Sequence, residues 1–536
     1  MRSGGRPVSG SPPPREHRRA SSFPRALGWT ALNAVLPGTA FLRAGRRVLG
    51  GVVLGLFLVL AVAGAWAALA TGGQRSALRA AVDTSSLLWI VVGIAGVTAL
   101  WAAVVVAGHV LLVPPGTGRG RRALGGGLVL ALIAAVAVPA VVAGRLALVQ
   151  RDLIADVFTD DGESATVEEE PTPFGSKERV NVLLLGGDGG EGRIGVRTDT
   201  VIVASVDTDD GSTTLFSLPR NLEDLPFPED SPLAELYPNG FDAGSESESL
   251  LNAVYRNGPA MYPDVLGETD NPGADFLKLG VGEALGLHID YYALVNLDGF
   301  SRLVDALGGI TVNVNYWVPI GGEPSLGRLP DDYIAPGPNR HMDGETALQF
   351  ARGRFGLSDY DRMDRQRCTI DAIIDAADPM TLLRKYQQLA RTTKDIVSTD
   401  IPRSRLGDFV DLAFLVKDAE VRSVVFDDSV IDPAYPDYDE IRGIVYLALA
   451  PPGGGDDDRG DDGAAEPTGA AEPTGAAEAS GPGTPTPSAT GTATPSAGRT
   501  ATSLPVAPTD VRDACAYDRQ AAEQARAQGE PPTYGG

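Results

Sequence analysis

Acidic and basic residues crowd the stretch from Asn181 to Asn221, NVLLLGGDGGEGRIGVRTDTVIVASVDTDDGSTTLFSLPRN. Asp188 follows a short apolar run, Asn181 to Leu185, that ends in glycines. Arg197 and Asp199 lead directly into the β-rich run Val201 to Val206, and Arg220 lies just past the run Thr214 to Leu218. Asp209, Asp210 and Gly211 turn the chain between the last two runs, which predicts a hairpin with two acids and two arginines at one rim of a sheet. Carboxylate oxygens suit a hard cation such as Mg²⁺, and guanidinium forks suit phosphate, so the set reads as a site for a phosphorylated ligand. The same residues also read as ordinary turn carboxylates and solvated ion pairs. The glycines do not form a P-loop, because the Gly-Lys-Ser/Thr ending is missing.

A second charged cluster runs from Gln349 to Ile370, QFARGRFGLSDYDRMDRQRCTI. Arg352 and Arg354 are two apart and would share a face of an extended segment. From Asp361 the pattern turns helical: Arg362 and Gln366 are i and i+4 with Arg365 beside them, and Met363, Ile370, Ile373 and Ile374 make the apolar stripe. One polar face then presents two guanidiniums and an amide, and its plainer reading is a solvated face balanced by Asp359, Asp361 and Asp364. Convergence of Arg197, Arg220, Arg352, Arg354, Arg362 and Arg365 would leave excess positive charge inside an acidic domain, which is costly without a bound anion. His17, His109, His288 and His341 fit no zinc-ligand spacing, and there is no G-x-S-x-G elbow, so Asp and Arg must carry any chemistry.

Alternating patterns supply the elements that would hold these clusters. Glu248 to Arg256, Leu277 to Leu287 and Phe300 to Leu307 read as helices, with strands at Tyr291 to Leu297 and Ile310 to Val314. Scaffold helices follow around Leu382 to Val397, Leu406 to Val416 and Ile441 to Leu449, with a strand at Val421 to Phe426. The alternation predicts an α/β layered domain with helices packed over a central sheet and the active edge at its loops.

The 536-residue chain has a formal net charge of −24, unevenly spread: arginines dominate before the first apolar run and acids dominate after residue 151, which argues against nucleic acid as a partner. Gly51 to Ala70, Leu87 to Val113 and Leu128 to Leu148 are each long enough to cross a bilayer as helices. Arg119, Arg121 and Arg122 crowd the second connecting loop, whereas Arg75 and Arg79 are the only basic residues of the first, so the amino terminus is expected in the cytoplasm and everything after about residue 150 outside. Trp29 to Leu42, interrupted by Pro37 and Gly38, reads as an interfacial or broken helix, and His109 as a solvated interface residue. The expected organisation is a basic cytoplasmic segment (1–48), three membrane helices (49–150), a juxtamembrane linker (151–178), the catalytic domain (179–450), a disordered Pro/Gly/Ala/Thr-rich linker with two copies of AAEPTG (451–508) and a tail (509–536). Cys368 and Cys515 both fall outside, where an oxidising surrounding permits a disulfide that would pin the far carboxyl end onto the folded domain; two free thiols are the alternative.

Taken together these pieces resemble the LytR-CpsA-Psr family of membrane-anchored cell-wall glycopolymer transferases. The resemblance covers roughly Val180 to Ala377. It rests on the Gly187-Asp188 strand end, Arg197-Thr198-Asp199-Thr200, Ser217-Leu218-Pro219-Arg220, Leu251-Asn252-Ala253, the run Leu303 to Gly309, Asp343-Gly344-Glu345, Arg352-x-Arg354 and Arg362-x-x-Arg365-Gln366. It implies a layered α/β/α domain with a central mixed sheet that encloses a polyprenyl chain, with the pyrophosphate at the mouth. Asp188 and Asp199 match the acids that hold Mg²⁺ (or Mn²⁺), and Arg197, Arg220, Arg352, Arg354, Arg362 and Gln366 match the pyrophosphate and catalytic shell, with Arg365 beside them. Asn221, Leu250 and Arg367 depart from the pattern, standing where an acid, a lysine and a glutamine are usual. The implied partners are a polyprenyl-pyrophosphate-linked glycan donor, a peptidoglycan acceptor and the lipid bilayer. A hydrolase of the same pyrophosphate and a non-catalytic polyprenyl-phosphate-binding tether are the rival readings.

Overall fold

The computed structural model describes residues 22–69, 73–158, 164–167, 174, 177–188, 196–377, 397–450 and 507–534. The first 21 residues, most of the predicted helix around Leu382 to Val397, and nearly all of the predicted disordered linker lie outside these described residues.

Helices α1 (Phe23–Val35) and α2 (Thr39–Arg43) form the broken helix expected near Pro37 and Gly38. The backbone groups freed by the break are satisfied by Asn33, whose Oδ1 accepts from Gly38 N at 3.0 Å and Ala40 N at 3.1 Å. Helices α3 (Arg47–Leu69), α5 (Thr84–Leu112) and α6 (Arg119–Val157) are long and apolar enough to cross a membrane, with the short α4 (Gly73–Val82) between α3 and α5. Helix α6 runs beyond its apolar window, and at its carboxyl end Gln150, Arg151, Leu153 and Ala155 are good helix formers, so it consumes the start of the expected linker. His109 is not solvated: it is buried, with Thr30 Oγ1 3.0 Å from its Nδ1. Arg79 of α4 pairs with Asp411 in the folded domain.

The domain runs β1 (Arg179–Gly187), β2 (Thr198–Asp207), β3 (Thr213–Leu218), α7 (Pro232–Leu236), α8 (Glu246–Ser249), α9 (Leu251–Met261), α10 (Pro272–Leu285), β4 (Tyr291–Asn296), α11 (Leu297–Leu307), β5 (Ile310–Val314), β6 (Val318–Ile320), β7 (Asp332–Ile334), β8 (Gly337–Met342), α12 (Gly344–Arg352) and α13 (Asp359–Ala376). After β9 (Val397–Thr399) come α14 (Leu406–Asp418), β10 (Val421–Val425) and α15 (Tyr438–Leu449), and the chain returns as β11 (Thr509–Asp510), α16 (Val511–Ala514) and α17 (Arg519–Gln528). The main sheet has the order β11-β10-β3-β2-β1-β4-β9 and is mixed: β1–β4 and β3–β10 are parallel, while β1–β2, β2–β3, β4–β9 and β10–β11 are antiparallel.

Both faces of the central strands are covered, which is why they read as near-continuous apolar runs. Leu183, Leu185, Val201, Val203, Phe216 and Leu218 point to one face and form the largest core with α9, α10 and α15. The alternate residues Leu184, Ile202, Ala204 and Leu215 point to the other face, toward α13 and the returning segment. A smaller lobe of β5–β8 and β6–β7 packs with α12 and the end of α13. The described part of the segment expected as a tail, 509–534, carries regular elements, and β11 pairs with β10 through Asp510 and Thr509.

Candidate active site

The carboxyl end of β1, the start of β2 and the residues after β3 share one edge of the sheet, because β2 is antiparallel to both neighbours. Asp188, Asp199 and Arg220 occupy those three positions and meet there, at the mouth of a cavity of about 390 Å³ between the sheet and helices α11, α12 and α13. Arg352, Arg354, Arg362 and Gln366 line the same cavity. Beyond the polar mouth its walls are apolar, contributed by Leu184, Ile202, Val295, Phe300, Leu303 and Ile370 among others.

Asp199 is the hub. Its Oδ1 accepts from Arg220 Nη1 at 3.2 Å and from Asn252 Nδ2 at 3.0 Å, and its backbone carbonyl accepts from Arg362 Nη1 at 2.7 Å. Burial pushes this carboxyl up, but the Asn252 amide and the Arg220 and Arg362 guanidiniums outweigh it and hold the group below its ordinary value of 3.8. Arg362 is buried, which pushes its own pKa down, and Asp359 opposes that shift by accepting from Nη2 at 2.8 Å. Asp359 also lies 3.2 Å from Arg220 Nε, so one carboxylate clamps two site arginines. Gln366 donates from Nε2 to Thr200 Oγ1 at 2.8 Å, tying α13 to β2. Asp188 holds the strand end in register: its Oδ1 accepts from Arg197 N at 2.8 Å and its N–H donates to Arg197 O at 3.1 Å.

Three expectations need correction. Arg365 does not line the cavity; it points the other way, donating to Phe350 O at 2.7 Å, Tyr316 Oη at 2.8 Å and Gly353 O, and so locks α13 to α12. The Arg197 side chain is likewise absent from the cavity lining, with its guanidinium on Glu248 Oε1 at 2.7 Å. Arg352 is the last residue of helix α12 rather than part of an extended segment, and the pair still reaches the cavity because the chain leaves the helix at Gly353. Asp359, Asn252, Thr200 and Glu248 had no expected site role, although Thr200 and Asn252 stand in the motifs that carry the resemblance and Asp359 among the acids read as balancing the helix face. Asp359 carried a partial signal: Ser358 and Asp361 form a capping box, which places Asp359 in the first turn of α13, three residues before Arg362.

Counting Asp359, three carboxylates face four cavity guanidiniums, which leaves an excess positive charge suited to an anion. Asp188 and Asp199 supply two hard carboxylates at one mouth, and among the described residues no group of three or more His, Cys, Asp or Glu is placed to hold a metal ion by itself. That donor set fits Mg²⁺, which is commonly held by one or two carboxylates together with substrate phosphate oxygens. On α13 the residue after Arg367 is Cys368, which forms a disulfide with Cys515.

Curated relatives include the polyisoprenyl-teichoic acid–peptidoglycan teichoic acid transferase TagU of Enterococcus faecalis, 31% identical over 232 residues, covering 42% of this chain and 63% of that protein. The probable cell wall biosynthesis protein LcpB of Corynebacterium glutamicum is 29% identical over 267 residues, covering 49% of this chain and 53% of its own length. The chain thus spans less than two thirds of either relative. Among solved structures, TagV of B. subtilis matches with 24% identity and a TM-score of 0.35, covering 51% of this chain and 96% of that one. The LytR_cpsA_psr family model matches residues 155–440, more than half of the chain and the whole of the polar cluster from Asp188 to Gln366, so the chain belongs to the LytR-CpsA-Psr family.

Proposed function

We propose that this protein transfers a glycopolymer phosphate from a polyprenyl-pyrophosphate carrier to a hydroxyl of peptidoglycan, outside the membrane that anchors it. One observation carries the reading: a single cavity is cationic and acid-bearing at its mouth and apolar along its walls, matching a lipid chain that ends in pyrophosphate. The activity for which TagU of Enterococcus faecalis is named, teichoic acid transfer to peptidoglycan, is the same class of transfer.

The anchoring geometry supports it. The first outer loop is the one expected outside from the arginine count, and its Arg79 meets Asp411 of the folded domain. The disulfide suits an oxidising exterior. Phe409 of α14 packs on Tyr291 at the start of β4, 5.4 Å between ring centroids, so the opposite strand ends bear the acids. The mouth thus stands about one strand length, roughly 20–30 Å, farther from the anchor, with the apolar walls leading back toward it.

In the reaction the acceptor hydroxyl oxygen attacks the glycan-bearing phosphorus. The bond from that phosphorus to the bridging oxygen breaks, polyprenyl phosphate leaves with the electron pair, and the hydroxyl proton passes to a base. Arg220, Arg352, Arg354 and Arg362 would hold and neutralise the phosphate oxygens, so that positioning and charge supply most of the rate. Bound Mg²⁺ on Asp188 and Asp199 would add further neutralisation of the pyrophosphate. Asp199, held ionised by its partners, is suited to that ligand role and to orienting Arg220.

The test uses the full chain in detergent with a polyprenyl-pyrophosphate glycan, peptidoglycan fragments and Mg²⁺, alongside Asp199→Ala and Arg352→Ala. Phosphodiester-linked polymer, lost by about two to three powers of ten in each variant, is expected. Free glycan phosphate without linked polymer would replace the reading by a hydrolase, and tight lipid binding without turnover by a tether.

A further inference from the structure

The carboxyl-terminal segment docks on both sides of the cavity wall. On one side β11 adds to the edge of the main sheet through β10. On the other, Asn313 Nδ2 donates to Cys515 O at 3.0 Å, Trp317 Nε1 donates to Ala525 O at 3.0 Å, and Arg526 Nη2 donates to Pro336 O at 2.6 Å, all reaching the small lobe. Between these attachments Val511, fully buried, and Cys515 pack in one cluster with Leu184, Ile202, Ile370 and Ile374, four residues that also line the cavity. The disulfide joins this segment to α13 at Cys368, two residues past Gln366 and one before Thr369.

We propose that this segment is a strap that holds α13 against the sheet, and that the Cys368–Cys515 bond makes the grip of the cavity dependent on an oxidising exterior. The α13 residues that face the cavity, Arg362, Gln366, Thr369 and Ile370, keep their position because the opposite face of the helix is bound covalently to an element seated on the sheet edge. Cys515 is a positioning residue, since it does not line the cavity itself and packs behind residues that do. Opening the strap needs a thiol reductant: a dithiol gives two electrons to the bridge, Cys368 and Cys515 leave as thiols, and the reductant becomes its own cyclic disulfide.

The experiment takes the full chain in detergent, folded first and then treated with dithiothreitol, beside Cys515→Ser. Amide hydrogen exchange along Asp359–Ala376 and binding of a fluorescent polyprenyl phosphate are both read. Exchange in α13 about tenfold faster after reduction, with binding about tenfold weaker and far-UV dichroism unchanged, is the expected result. Protection lost only in residues 507–534, with α13 unchanged, would overturn the strap. Faster α13 exchange with unaltered lipid affinity would overturn its role in the grip. The lipid arm rests on the donor-site reading; if the oxidised protein fails to bind the probe, that reading falls while the exchange arm still decides the strap. Reduction after folding covers a failure of Cys515→Ser to fold.

Discussion

Replacing Asp359 by Asn tests the charge logic of the site most directly. Asp359 accepts from Arg362 Nη2 at 2.8 Å and lies 3.2 Å from Arg220 Nε. An amide of the same shape can accept from one guanidinium through Oδ1, but its Nδ2 then faces the other as donor against donor. One charge-assisted contact is lost and the other becomes neutral-acceptor, for a gross cost of about 2–4 kcal/mol. Asp359 and Arg220 are 24% and 28% exposed, so solvent screening trims this to about 2 kcal/mol. For a domain of this size the melting temperature should fall by roughly 4–8 °C. Inorganic pyrophosphate with Mg²⁺ should then raise the melting temperature of Asp359→Asn more than that of the parent, because the added anion supplies the charge that was removed. Thermal denaturation followed by intrinsic fluorescence, with and without pyrophosphate, reads both effects. A variant as stable as the parent, with the same pyrophosphate shift, would refute the clamp and with it the claim that Arg220 and Arg362 need an anion between them.

Two further outcomes follow from other groups. Lys278 and Asp400 form a buried pair at 2.6 Å, 1% and 7% exposed, so Lys278→Met leaves an unpaired buried carboxylate and should destabilise the domain by about 3–5 kcal/mol, measured by chemical denaturation. The folded-state pKa of Asp199 lies below 3.8, so its contribution to stability is fully present above 3.8 and is lost as pH falls through the lower, folded value. Stability and pyrophosphate affinity, titrated by calorimetry, should therefore show no step from Asp199 between about pH 5 and 8; a step in that range that disappears in Asp199→Asn would contradict the charge assignment.

Local pattern was enough for the membrane helices, the β1–β2–β3 meander and the placing of Asp188, Asp199 and Arg220 at one rim, because apolar length, period-two alternation and turn chemistry act within a few residues of each other. The two charged clusters lie more than a hundred residues apart, yet their types and order were legible, and with them the family. Tertiary structure decided which arginines enter the cavity. Arg362 and Arg365 differ by only about 60° around the helix, and that small angle sends one to Asp199 and the other into the α12 contact. Arg197 was likewise assigned by a partner fifty-one residues away, Glu248, that no spacing rule connects to it. The returning carboxyl end was least legible: β11 is two residues long and α16 four, so each is set by pairing with β10, by the burial of Val511 and by Cys368 rather than by any periodicity of its own. The sequence by itself thus determined the elements and the chemistry available at their ends; the folded chain determined which side chains share a cavity, because that choice depends on contacts between segments far apart in sequence.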